Sequence, residues 1–131
     1  MATILVVDDD PIIAQVVAAT LTRVGHVVHM HDSGFGLAVA VHRFRPDVVV
    51  LDVNMPGLSG TRSLEAAAGL NPNYRLETRV LLHSGTPADE LRQLATRVGA
   101  HGSLAKPVRP SEIAEAVRAC LSTPCRRLGV A

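Results

Sequence analysis

Five short apolar runs recur along the chain, at residues 4–7, 27–30, 48–51, 80–82 and around Leu104, with longer segments of helical period between them. This alternation constrains the fold more than any other feature. Strands separated by helices pair in parallel, because each helix carries the chain back across the sheet before the next strand begins. The core has to be aliphatic, since hydrophobic residues make up 47% of a chain with one Tyr, two Phe and no Trp. That suits a parallel sheet covered by helices. At 131 residues there is room for one domain of normal size.

Helix signals fill the gaps between the runs. Asp10-Pro11 is a capping residue followed by proline at the first helical position, and Ile12, Ile13, Val16, Val17 and Leu21 repeat at helical spacing towards a stop near Gly25. A second helix carries Leu37, Val41 and Phe44 on one face and stops before Pro46; a third spans about 60–69. Thr86-Pro87 repeats the cap-plus-proline signal ahead of a fourth helix with the stripe Leu91, Leu94, Ala95 and Val98. The last helix starts near Pro110, with Ile113, Val117, Cys120 and Leu121 facing inward. Residues 1–121 are expected to form the domain and 122–131 a tail. The predicted fold is a doubly wound five-stranded parallel sheet in the flavodoxin-like order 2-1-3-4-5, with helices on both faces.

Several classes of function are disfavoured. Lys+Arg 13 stand against Asp+Glu 12, and the basic residues are scattered, so no direct nucleic-acid partner is expected. No segment approaches the length of a membrane span and no basic, apolar leader opens the chain, so a cytoplasmic protein without a membrane partner is expected. Cys120 and Cys125 make neither a disulfide framework nor a zinc site. The six histidines are scattered, and read best as satisfied or exposed; His83 points away from Ser84 on its strand.

In a doubly wound sheet, ligands sit at the carboxyl ends of the strands. The first strand ends in Asp8-Asp9-Asp10, the third in Asp52, the fourth in Ser84 and the fifth in Lys106-Pro107. With the first and third strands adjacent, Asp8, Asp9 and Asp52 converge beside Lys106 and Ser84. Crowded carboxylates repel one another and raise their pKa values unless a cation is present. Mg²⁺ is the natural cation, because it takes oxygen ligands and leaves positions for phosphate. A carboxylate beside such an ion can attack phosphorus, and Asp52, alone on the middle strand, is the candidate nucleophile. Lys106 supplies a point charge and the Ser84 hydroxyl a hydrogen bond to the phosphoryl oxygens. Asp10 is left as the helix cap.

From residue 3 to about 121 the chain resembles the response-regulator receiver domains of two-component signalling. The resemblance is carried by Val-Val-Asp-Asp-Asp-Pro, by Leu-Asp-Val-Asn-Met-Pro-Gly-Leu-Ser-Gly from Leu51 to Gly60, and by Lys106-Pro107, in the family's order and spacing. It implies a phospho-acceptor in a phosphorelay rather than an enzyme, with Asp52 accepting the phosphoryl group, and Asp8, Asp9, Asp52 and the Asn54 backbone carbonyl holding Mg²⁺. It further implies Ser84 in the family's Ser/Thr position, Lys106 on the phosphate, and a Lys106–Pro107 cis peptide. A sensor histidine kinase or phosphotransfer protein would be the donor, and a stand-alone domain would signal by binding a downstream protein. One departure stands out: Ser103 occupies the position where many receivers carry an aromatic residue that turns inward on phosphorylation. A phosphate-independent scaffold on the same fold is the alternative. A flavin-binding protein would need a phosphate-cradling loop after the first strand, where three acids stand instead.

Overall fold

A strand buried on both faces must be apolar at every position, whereas one at a sheet edge can mix polar and apolar residues. That contrast orders the sheet. In a computed structural model describing residues 1–32, 37–53, 78–107 and 109–122, five strands form one sheet: β1 (Thr3–Val7), β2 (Val27–His31), β3 (Val48–Leu51), β4 (Arg79–Ser84) and β5 (Gly102–Ala105). All pairings are parallel, in the order β2-β1-β3-β4-β5. The Val-Val-Val-Leu run of β3 is central and wholly buried, while β2 and β5 form the half-exposed edges. The predicted sheet order and fold class are those observed.

Alternation along the strands divides the core into two layers. Leu5, Val7, Val49, Leu51, Val80 and Leu82 pack towards helices α2 (Leu37–Phe44) and α3 (Ala88–Val98), with Leu37, Val41, Leu91 and Ala95. Ile4, Val6, Val48, Val50 and Leu81 pack on the opposite side, towards α1 (Pro11–Arg23) and α4 (Pro110–Ser122), with Val17, Leu21, Ile113, Val117 and Cys120. The expected stripe of the last helix is buried at Ile113, Val117 and Cys120, whereas in the first helix Val17 and Leu21 are buried and Ile12 and Val16 face solvent.

Local chemistry sets the helix ends. Asp10 caps α1: its Oδ1 accepts the backbone N–H groups of Ile12 at 3.0 Å and Ile13 at 3.3 Å, and Pro11 opens the helix. Beyond its last turn, Gly25 takes φ +100°, a backbone open to glycine at little cost. α2 ends before Arg45, a non-glycine residue at φ 46°, and Pro46. The fourth predicted helix starts one residue later than the Thr86-Pro87 signal implies. Pro87 itself occupies the cap position, with φ −52° and ψ 142°, and provides no side-chain cap bond. The expected third helix, Asn54 and Cys125 lie outside the described residues.

Candidate functional site

The site is built where the strands stop, and backbone bonds of the sheet fix it. Asp8 N–H donates to His31 O at 3.2 Å, Asp52 N–H to Val7 O at 2.9 Å, and Lys106 N–H to Ser84 O at 2.8 Å. The register that pairs Val7 with Leu51 therefore continues into the pairing of the acids just beyond. Asp8, Asp52 and Ser84 are buried and Asp9 is exposed. One carboxylate oxygen from each of Asp8, Asp9 and Asp52 can be chosen so that all three lie within 4.8 Å of one another. The structure thus brings together the three acids that the strand ends suggested.

Lys106 closes the cluster. Its Nζ donates to Asp8 Oδ2 at 2.8 Å and to Asp52 Oδ2 at 3.2 Å, so it spans the two buried acids. Asp8 Oδ1 takes a second bond from Asp10 N–H at 2.9 Å. The Lys106–Pro107 peptide is cis, as the resemblance implied.

Three carboxylates face one ammonium, and the electrostatics follow. Burial pushes the Asp8 carboxyl above its ordinary value, against the bonds from Lys106 and Asp10 that favour its charged form. Mutual repulsion raises carboxylate pKa values, but here the Asp52 charge contributes least to the Asp8 shift and desolvation most. Burial alone would lower Lys106; the hydrogen bonds and charges of Asp8 and Asp52 outweigh it and hold the ammonium above its ordinary value. Both shifts are upward because desolvation outweighs the ion pair at Asp8, whereas the ion pair and its hydrogen bonds outweigh desolvation at Lys106.

The donor set suits a hard divalent cation. Oxygen ligands around 2.0–2.1 Å from Mg²⁺ lie roughly 3–4 Å apart in an octahedral shell, close to the spacing of these carboxylates. Asp9, exposed and nearest to solvent, leaves an open side. An excess of negative charge over the single lysine also gives a cation something to neutralise.

Ser84 ends β4 fully buried, and a Cβ on the adjacent Gly85 would meet nothing within 4 Å among the described residues. Ser103 is half-buried on β5, opposite Leu82. Sequence reasoning missed His83. His26 Nδ1 accepts the backbone N–H of Ala2, and His101 Nδ1 that of Val80. His83 is buried on the α1/α4 side of the sheet, and its Nε2 has no hydrogen-bond partner among the described residues. Burial, reinforced by the Lys106 charge and opposed by that of Asp52, takes its imidazole down to about 4, so it is neutral at pH 7. The signal was present in sequence: a histidine embedded in Val-Leu-Leu-His-Ser at the parity of buried Leu81.

Known proteins place this geometry. Residues 4–118 match the family model described as the response regulator receiver domain. The probable transcriptional regulatory protein TcrX of Mycobacterium tuberculosis is 36% identical over 128 residues, covering 98% of this chain and 51% of TcrX. The chain thus spans about half the length of that relative. Protein PilH of Pseudomonas aeruginosa is 32% identical over 124 residues, covering 93% of this chain and 99% of PilH. The crystal structure of the Vibrio cholerae chemotaxis protein CheY4 superposes with a TM-score of 0.81 at 30% identity, covering 92% of this chain and 98% of CheY4. Among the described residues no helix is long and apolar enough to cross a membrane. With a matching sheet order, a matching strand-end acid cluster and a family match across nearly the whole chain, the protein belongs to the response regulator receiver domains of two-component signalling.

Proposed function

We propose that Asp52 is the phospho-acceptor of this receiver, that Asp8, Asp9 and Asp52 together with the Asn54 carbonyl hold Mg²⁺, and that residues 1–121 make up the working domain with 122–131 as a tail. The observation that carries this reading is the convergence of three carboxylates within 4.8 Å under a lysine that bridges the two buried ones. When bound, Mg²⁺ would supply charge neutralisation for the phosphoryl oxygens.

The chain's own residues do the rest. An Asp52 carboxylate oxygen forms the new bond to phosphorus, while the bond from phosphorus to the donor breaks and its electron pair leaves with the donor. Lys106 already holds Asp52 Oδ2, which keeps that oxygen engaged and directs the other towards the donor. As charge builds on the phosphoryl group, the ammonium is placed to follow it, and Ser84 O–H can donate to another oxygen. Asp8, tied by Lys106 and Asp10 N–H, stays fixed throughout. The domain acts as a phospho-acceptor that takes part in its own phosphorylation, not as an enzyme on a separate substrate, and works in the cytoplasm.

A protein donor, either a sensor histidine kinase or a phosphotransfer protein, needs a foothold at the same end of the sheet. Ile12 and Val16 of α1 are exposed, and they line an apolar groove of about 200 Å³ that reaches Pro107 and Lys106. This groove gives the donor an apolar seat beside the acids. A downstream protein partner would read the phosphorylated state.

Intact-mass measurement after exposure to acetyl phosphate tests the reading. One added phosphoryl group is expected with Mg²⁺ and none with chelator, and Asp52→Asn should remain unmodified. An unmodified wild type with Mg²⁺ in excess, or equal modification of Asp52→Asn, would overturn it.

A further inference from the structure

Asp10 is bonded in two directions. Towards α1, its Oδ1 accepts the N–H groups of Ile12 and Ile13, and its backbone carbonyl accepts Ala14 N–H at 3.0 Å. Towards the acid cluster, its own N–H donates to Asp8 Oδ1 at 2.9 Å. The residue therefore stands between the start of a helix and a buried carboxylate of the site.

What the bond to Asp8 achieves follows from how a carboxylate turns. The χ2 torsion of an aspartate is soft, spread over a broad range rather than held in narrow wells. Among the described residues each Asp8 oxygen carries one hydrogen bond, Oδ2 from Lys106 Nζ at 2.8 Å and Oδ1 from Asp10 N–H. With both oxygens held, the group cannot pivot. An ionised carboxylate has about four acceptor sites, so acceptor sites remain for a cation. Lys106 by itself would be a weak restraint, because an ammonium on a flexible four-carbon stem can follow the carboxylate as it turns.

The Asp10 side chain sets the aim of that N–H. Pro11 disfavours the helical region for the residue before it, and Asp10 is extended, with φ −86° and ψ 108°. Within that broad region, the two bonds from Ile12 and Ile13 fix the angle. We propose that Asp10 is a positioning residue of the metal site: its carboxylate anchors the backbone whose N–H orients Asp8 for Mg²⁺, without itself holding the ion. The inference rests on Asp8 being a ligand to Mg²⁺. It gives the third acid of Asp8-Asp9-Asp10 a part in the site through hydrogen bonding rather than charge, and it ties the start of α1 to the ion.

Mg²⁺ affinity, measured by titration calorimetry on the whole chain, provides the test. Asp10→Ala should bind about threefold to tenfold more weakly, at or below the low end of what losing an outer-shell partner of a metal ligand costs. Asp10→Asn and Asp10→Ser keep a capping oxygen and remove the charge. Both should bind within about twofold of wild type, a margin that covers the lost long-range attraction. Ala19→Gly, at an exposed position of the same helix, lowers stability without touching the cap and should leave the affinity unchanged. Unchanged affinity in Asp10→Ala, equal weakening in Asp10→Asn, or weakening in Ala19→Gly overturns the positioning role. Should Asp10→Ala fail to fold, amide exchange in metal-free protein decides. The Asp10 N–H should exchange more slowly in wild type than in Asp8→Ala, and equal exchange refutes the proposal. Undiminished Mg²⁺ binding by Asp8→Ala would instead refute the metal assignment, and the positioning role with it.

Discussion

Acidifying the solution should destabilise this domain through His83 in particular. The residue is 4% exposed, its Nε2 has no hydrogen-bond partner among the described residues, and its imidazole is held down at about 4 against an ordinary 6.5. Between those two values the unfolded chain binds a proton that the folded chain refuses, so stability is full above the upper value and is lost as pH falls through the window. Linkage gives a loss of about 2 kcal/mol between pH 7 and pH 5, and about 3 kcal/mol by pH 4. On a domain whose total stability is roughly 5–15 kcal/mol, that is a large share. His83→Leu removes the titration at similar volume and also removes the unpaired nitrogen, so it should be at least as stable as wild type at pH 7. The gap between the two should then widen by about 2 kcal/mol at pH 5, because only in wild type does the unfolded chain gain a proton that the folded chain refuses. Urea melts followed by far-UV circular dichroism in metal-free buffer measure this, the chain having no Trp. Wild-type and His83→Leu stabilities that run parallel from pH 7 to pH 5 would refute the reasoning.

Three further outcomes are expected. Asp10→Ala should cost about 1 kcal/mol in urea melts through loss of the α1 cap, while acetyl phosphate still modifies the protein, separating this acid from its two neighbours. Asp9→Ala should leave the metal-free melting temperature unchanged or higher, since one carboxylate is removed from the cluster, and should shrink the upward shift that Mg²⁺ produces. Gly102→Ala places a methyl 3.1 Å from Leu81 Cδ1 and 3.4 Å from Cys120 Sγ, both buried, and should cost about 1–3 kcal/mol, with Leu81→Val recovering part of it in the double variant.

Much of this was legible in sequence because strands buried on both faces leave little room for ambiguity: Val48, Val49, Val50 and Leu51 could only be central. The acids were legible for a related reason, as Asp8 and Asp52 interrupt apolar runs at the same relative point, and adjacent strands in register bring equal points together. What escaped were features set by side-chain reach. That Lys106 sits closer to Asp8 than to Asp52 depends on how a flexible four-carbon stem crosses the end of the sheet, which no spacing encodes. His83 escaped because histidine belongs equally to surface and interior, and only packing decides. Thr86 was misassigned as a cap because Thr-Pro satisfies the local rule for a helix start, while the helix begins one residue further on and releases the hydroxyl to Ser84. Asn54 and the segment expected to form the third predicted helix lie outside the described residues.

The lysine bridge also has a meaning for how the chain acquires competence as it is made. Lys106 is 98 residues from Asp8 and 54 from Asp52, so the two acids are synthesised long before their counter-charge. A nascent chain that has paired β1 with β3 holds a desolvating acid pair without the ammonium that belongs between them, and closure of that gap waits for β5 to dock at the sheet edge. The cluster of Asp8, Asp52 and Lys106 is therefore complete only once β5, which follows the other four strands in the chain, has docked at the sheet edge.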